Sequence, residues 1–299
     1  MIDKKLTRYL WLSIAAAIAT ISLKAGAYLY TGSVGLLSDA LESIINLIAA
    51  VFALWMLTVA SRPPDEGHNF GHTKAEYFSG ALEGSLIGMA AISIGWAAIE
   101  RMISPQPLEN IGIGIAISAA ATVINLVVGQ ILIRSGRTHR SIALEADGRH
   151  LMTDVVTSIG VIAAVIIVGA TGWLILDPLI ALAVALNILW TGYHVVKRSA
   201  EGLMDASASD EDMAKIVAVL DEYKEKAGID YHALRTRVAG PRIFVSVHVL
   251  MPDEWTIQRG HELAEEIESA MRSAVPGVIA STHLEPLDDP LSMADMDLV

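Results

Sequence analysis

Residues 35–60 read GLLSDALESIINLIAAVFALWMLTVA, an apolar run broken by the side chains of Asp39, Glu42 and Asn46. A helix needs ~20 mostly apolar residues to cross a bilayer core. Within hydrocarbon the backbone must also satisfy its own hydrogen bonds, which selects a helix for such a run. Five further blocks have the same character: Leu10 to Tyr30, Phe78 to Ile99, Ile111 to Ile133, Val155 to Ala170 extending back towards Ala143, and Trp173 to Val196. Between them lie Thr31-Gly32-Ser33, Arg62-Pro63-Pro64-Asp65, Ser104-Pro105-Gln106-Pro107, Ser135-Gly136-Arg137 and Thr171-Gly172, which are read as the connecting loops. The expected fold class is therefore an α-helical membrane protein with six transmembrane helices.

Composition agrees, since 53% of the 299 residues are hydrophobic, too many for an ordinary soluble chain of this size. With no cysteine, disulfides and thiolate metal sites are excluded, so any bound metal must use histidine, carboxylate, amide or water. A formal charge of -12 argues against nucleic acid as a partner. No GxxxxGK[ST] loop is present, which argues against an ATP-driven pump. The amino terminus lacks the small-residue cleavage site of a signal peptide and is read as leading into the first span. Lys4, Lys5, Arg8, Arg62, Lys74, Arg134, Arg137, Arg140, Lys197 and Arg198 flank one side of the spans, and little beyond Arg101 flanks the other. Short basic loops stay cytoplasmic, so both termini are expected there.

Near residue 200 the pattern changes, dividing the chain into an expected transmembrane transport domain, 1–200, and a cytoplasmic domain, 201–299. Asp210 to Lys224 and His261 to Arg272 have helical periodicity, while Tyr231 to Val238, Arg242 to Met251 and Val278 to Leu284 alternate as strands. The order αββαβ suggests an α+β ferredoxin-like domain, although order alone does not fix strand pairing.

Ionisable residues inside a span are costly, and each is a functional candidate. Span two carries Asp39, Glu42 and Asn46; span five carries Asp147, His150 and Asp154. On each helix the last two lie four residues apart on one face. Facing each other, Glu42, Asn46, His150 and Asp154 would supply an imidazole nitrogen, two carboxylates and an amide oxygen, a set suited to a divalent first-row ion. The metal binds only as these groups lose protons, so metal and proton compete for the same atoms. Proton/metal exchange follows if the site opens alternately to each side. Helix caps or interhelical hydrogen bonds are the competing reading of the same residues. Lys24, Glu83, Asn125 and Asn187 also fall in spans and are read more simply, Lys24 as snorkelling and the others as joining helices by hydrogen bonds. Gly80, Gly84 and Gly88 form a ridge of small residues for close helix contact.

Two further sets contain histidine. Asp65, His68 and His72 in the loop after span two have metal-ligand spacing. His232, His248, His261, His283 and Glu285 lie in the carboxy-terminal domain, where metal would serve sensing rather than passage. Solvated surface histidines are the alternative for both.

Taken together, Tyr30-Thr31-Gly32-Ser33-Val34, the span-two cluster, His68-x-Phe70-Gly71-His72-x-Lys74-Ala75-Glu76 and His150-x-x-x-Asp154 resemble the cation diffusion facilitator family, in its bacterial zinc and ferrous-iron efflux branch. The resemblance covers nearly the whole chain. It implies a homodimer in a bacterial inner membrane that exchanges metal for protons at Glu42, Asn46, His150 and Asp154. It also implies a loop metal site at Asp65, His68 and His72, and a binuclear site at His232, His248, His261, His283 and Glu285 that stabilises the dimer. Lys74 is implied to pair with Asp205 in a charge interlock between protomers. Where that branch usually has two aspartates, this chain has Glu42 and Asn46, and an amide carries neither charge nor proton. Asp39 and Asp147, one turn away, would lend supporting carboxylates. No cofactor is expected beyond the metal itself: Zn(II) first, Fe(II) or Mn(II) next, Cd(II) as a passenger. A membrane-anchored metal sensor and a metal channel are the competing function classes; neither enzymatic activity nor a catalytic residue is expected.

Overall fold

The computed structural model describes residues 6–31, 34–104, 111–171, 173 and 175–293, and among these the side chains of 27, 28, 30, 31, 34–42, 45, 46, 101, 111–115, 118, 161–171 and 177 lie outside the described set. The chain divides into two compact units, Met1–Ala200 and Glu201–Val299.

The first unit consists of six long helices: α1 (Leu6–Thr31), α2 (Val34–Ala60), α3 (Ala75–Ile103), α4 (Ile111–His139), α5 (Ile142–Thr171) and α6 (Leu176–Leu203). It is a helical transmembrane domain. Among the described residues α1, α3, α4 and α6 each contain a stretch long and apolar enough to cross a membrane; α2 and α5 span 27 and 30 residues. Large apolar side chains point outward along the helices, with Trp11, Met89, Ile92, Trp96 and Trp190 all at least 60% exposed. In water such a surface would be an aggregation hazard; in a bilayer it meets lipid.

Among the described residues two separate apolar cores hold these helices. Leu10 of α1, Ala53 and Leu57 of α2, Leu132 of α4 and Leu144 and Leu151 of α5 form the larger. Ile87 and Ala91 of α3 with Ile188 of α6 form the smaller. Glycine seams bring helices into close contact, as small residues do in membranes. A Cβ on Gly84 would lie 3.0 Å from the Gly192 carbonyl, and one on Gly192 would lie 2.9 Å from the Gly84 carbonyl, so the expected α3 ridge meets α6.

The structure corrects one loop assignment. Ser135-Gly136-Arg137 continues α4 to His139 instead of ending it. A Cβ on Gly136 would come within 2.6 Å of the Glu145 backbone nitrogen. Gly136 is thus required by the approach of α5, and its helix-breaking tendency is overridden by packing. The chain turns only at Arg140 and Ser141, where Arg140 takes a positive φ of 54°.

In the second unit α7 (Asp210–Ala227) and α8 (Ile257–Ala274) lie on one side of a sheet of β1 (Asp230–Ala239), β2 (Arg242–Met251) and β3 (Val278–Pro286), followed by a short 3-10 turn, Pro290–Met293. Ser209 caps α7 by accepting from the Asp212 N–H at 3.2 Å, and acids fill the first turn, opposing the helix dipole. β2 is central, antiparallel to β1 and parallel to β3. Its alternate residues Ile243, Val245, Val247, Val249 and Met251 face Ile216 and Leu220 of α7 and Ile267 and Met271 of α8. Each such buried chain contributes roughly 1.5–3 kcal/mol relative to exposure. α8 starts earlier than the periodicity predicts, because Thr256 caps it by accepting from the Arg259 N–H at 3.3 Å.

Candidate metal centres

Strand pairing explains how distant histidines meet. Because β2 pairs with both neighbours, His248 stands opposite His232 on one side and His283 on the other. All three point away from the helices, since the neighbouring β2 residues Val247 and Val249 are in the core. A bulge at Ala233, with φ 49°, preserves this alignment: it lets Tyr231 and Leu234, three apart, both pack on the core while His232 faces outward.

Glu285 joins the row. One carboxylate oxygen lies 2.7 Å from His232 Nε2; the other lies 3.0 Å from His248 Nδ1 and 3.6 Å from His283 Nε2. The rings of His232 and His248 are 5.0 Å apart and those of His248 and His283 are 4.9 Å apart. His232 Nδ1 is buried without a hydrogen-bond partner among the described residues. Ligand atoms of His232, His248 and Glu285 fall within 4.8 Å of one another, a nitrogen-rich set of the kind zinc takes. His283 is at the solvent rim, with 67% of its side chain exposed. His261 is not brought to this row: it is exposed on α8, in the helical layer on the other side of the sheet.

Glu285→Gln keeps the shape but removes the charge shared by three imidazoles. Zinc affinity at this row is expected to fall ~10–100-fold. Calorimetric titration of protein whose Asp65 and Asp154 are alanine checks it; an unchanged isotherm would remove Glu285 from the site.

The loop set is also assembled. Asp65 Oδ1 accepts from the Gly67 and His68 N–H groups at 3.0 and 2.7 Å, folding the loop back on itself. Its two oxygens then lie 3.3 Å from His68 Nδ1 and from His72 Nε2, with the rings 4.4 Å apart. Desolvation is the largest single influence and raises the Asp65 carboxyl, but the bonds from the His68 N–H and ring and the neighbouring imidazoles together hold it below its usual range. It is anionic at neutral pH and can accept a cation. His72 Nδ1 is buried without a hydrogen-bond partner among the described residues.

Within the helices, the side chains of Asp39, Glu42 and Asn46 lie outside the described residues, so that half of the expected intramembrane set has only its place on α2. The α5 half is described. His150 is buried, with its Nδ1 3.6 Å from Glu83 Oε2 of α3. Asp154 Oδ2 accepts from Asn125 Nδ2 of α4 at 3.3 Å. Asp147, also buried, bonds the Ser13 hydroxyl of α1. Asn125 therefore joins helices as expected and does so through a candidate ligand. Glu83 departs from its simple reading, because neither of its oxygens has a hydrogen-bond partner among the described residues. One sequence signal existed: no basic residue stands three or four positions from Glu83 on its own helix.

Sequence reasoning missed a second acidic centre. Glu145 of α5 is buried and gathers guanidinium groups from three helices: Arg198 Nη1 at 2.6 Å, Arg149 Nη2 at 2.8 Å and Arg137 Nε at 3.5 Å. Its spacing to Arg149, four residues on, was the available sign. Glu76 of α3 accepts from the Ser141 hydroxyl between α4 and α5.

The chain matches known proteins along most of its length. A family profile described as the cation efflux transmembrane domain matches residues 10–204, and one described as the cytoplasmic domain of cation efflux proteins matches residues 208–287. An uncharacterised transporter of Synechocystis sp. is 51% identical over 289 residues, covering 97% of this chain and 93% of that protein. The cation-efflux pump FieF of Klebsiella pneumoniae is 29% identical over 272 residues, covering 91% of this chain and 90% of the pump. A solved structure of CzrB in its Zn form is 34% identical, covers 27% of this chain and 90% of that one, and has a TM-score of 0.26.

Proposed function

Since this chain belongs to the cation efflux family of membrane transporters, we propose that it expels a divalent metal, Zn(II) foremost, by exchange for protons. The observation that carries the reading is the meeting, inside the transmembrane domain, of buried His150 with Glu83 and of part-buried Asp154 with Asn125. An imidazole and carboxylates in that setting hold either a metal or protons, so binding one displaces the other. Cytoplasmic metal would displace protons at Glu42, His150 and Asp154, with Asn46 adding a neutral oxygen. Rearrangement of the helices would then expose the site outward, where protons compete the metal off. An inward proton gradient drives metal out.

The cytoplasmic domain is assigned metal sensing and dimerisation. Its sheet carries His232, His248 and Glu285 on the face that α7 and α8 leave uncovered, which suits an ion held near a partner protomer. His261 would have to contribute from α8. The loop set Asp65, His68 and His72 is assigned a second cytoplasmic metal. Lys74 with Asp205 is retained as the interlock of the homodimer; within its own unit Asp205 also lies 3.4 Å from Arg237 Nη1. The basic residues flanking the spans favour cytoplasmic termini, and the bacterial relatives favour an inner membrane.

Sealed proteoliposomes loaded with a metal-sensitive dye test the reading. With a proton gradient imposed, Zn(II) flux is expected to follow the sign and size of the gradient, with Fe(II) and Mn(II) slower. Asn46→Asp, which adds a charge, is expected to change the order of the three metals. Metal flux indifferent to the gradient would favour a channel, and no flux of any metal would favour a sensor.

A further inference from the structure

Two other buried acids of the transmembrane domain have polar partners outside their own helices. Glu145 has three guanidinium groups, and Glu76 has a hydroxyl. Glu83 is different. It is 1% exposed, yet neither oxygen has a hydrogen-bond partner among the described residues. A carboxylate inside a membrane span is costly, and leaving it unsatisfied adds to that cost. An amide or an apolar residue would fill the same space at lower cost. The carboxylate is therefore placed for a charge that comes and goes.

Its surroundings identify that charge. Oε2 is 3.6 Å from His150 Nδ1, and Glu83 is near enough to Asp147 and Asp154 to feel their charges. Asp154 is in turn oriented by Asn125. An imidazole among several carboxylates is an arrangement that a divalent cation stabilises. We propose that Glu83 is a ligand of the intramembrane metal, supplied by α3 and added to the ligands of α2 and α5. The inference rests on the intramembrane metal site proposed above and extends it. An additional carboxylate oxygen raises the coordination number beyond four and makes the set richer in oxygen. Such a site takes Mn(II) or Fe(II) as well as Zn(II), because carboxylate suits manganese while imidazole suits zinc. It also makes metal a contact between the two apolar cores, since Glu83 belongs to the α3–α6 pair and His150 and Asp154 to the other four helices.

The test uses the full-length protein with His72→Ala and Glu285→Ala to silence the loop and sheet sets, titrated with Mn(II) and with Zn(II) in detergent. Adding Glu83→Gln is expected to weaken Mn(II) binding ~10–100-fold and Zn(II) binding by clearly less, and Glu83→Asp to recover part of the Mn(II) affinity. If Asp154→Ala abolishes binding while Glu83→Gln binds both metals as its parent does, Glu83 is no ligand and the intramembrane site stands without it. Equal losses for both metals in Glu83→Gln and Glu83→Asp would make it a packing residue and overturn the proposal. Binding undiminished by Asp154→Ala would overturn the intramembrane site and the proposal with it.

Discussion

Asp154→Ala is expected to lower proton-driven metal flux by ~100-fold or more, while zinc still titrates onto the loop and sheet sets. The substitution removes a candidate ligand and the acceptor of Asn125 Nδ2 together, leaving a buried amide donor without that carboxylate. Paired measurements on one preparation check it: dye-reported flux in proteoliposomes and calorimetric zinc binding in detergent. Flux within a few-fold of wild type would remove the α5 residues from the transport path. Loss of both flux and binding would mean that the protein had not folded, which thermal unfolding of the same sample distinguishes.

Gly277→Ala is expected to destabilise the cytoplasmic unit by ~3 kcal/mol or more, over a hundredfold in its folding equilibrium. Gly277 enters β3 with φ +85°, and a Cβ there would sit 2.2 Å from the Pro241 carbonyl oxygen. That oxygen is backbone in the β1–β2 turn and cannot rotate aside. The Gly277 carbonyl accepts from the Ile243 N–H at 3.0 Å, so relieving the clash also breaks the first link between β2 and β3. Hydrogen exchange of the full-length protein, followed by mass spectrometry, should show β2 and β3 amides exchanging far faster than wild type. Unchanged protection would show that the turn can adopt another path.

The sequence made the helices and strands legible because each periodicity reports the surface it meets. Alternation along Arg242 to Met251 predicted a strand with one buried face, and the strand has those bounds. The break expected at Gly136 failed for a physical reason: glycine marks a turn and a close helix contact equally well, and only the position of α5 decides between them. Among candidate ligands, His232, His248, His283 and Glu285 were visible as polar residues on alternating strands, but their meeting depends on pairing that element order leaves open. His261 shared their composition and not their layer. Glu83 is the reverse case, read as joining helices by hydrogen bonds but without a hydrogen-bond partner among the described residues, since satisfaction of a buried carboxylate is a property of its neighbours on other helices.

The histidine row has a consequence for the sheet itself. His232, His248 and His283 stand at one level across three strands, so an ion gripping them together with Glu285 reads the alignment of all three. Sliding β3 by one residue would set Thr282 or Leu284 beside His248 and turn His283 and Glu285 towards the helices. A misaligned sheet would thus have no grip on the ion, and binding would draw the population towards the aligned one. Metal held at this row would then proofread the register of the strands.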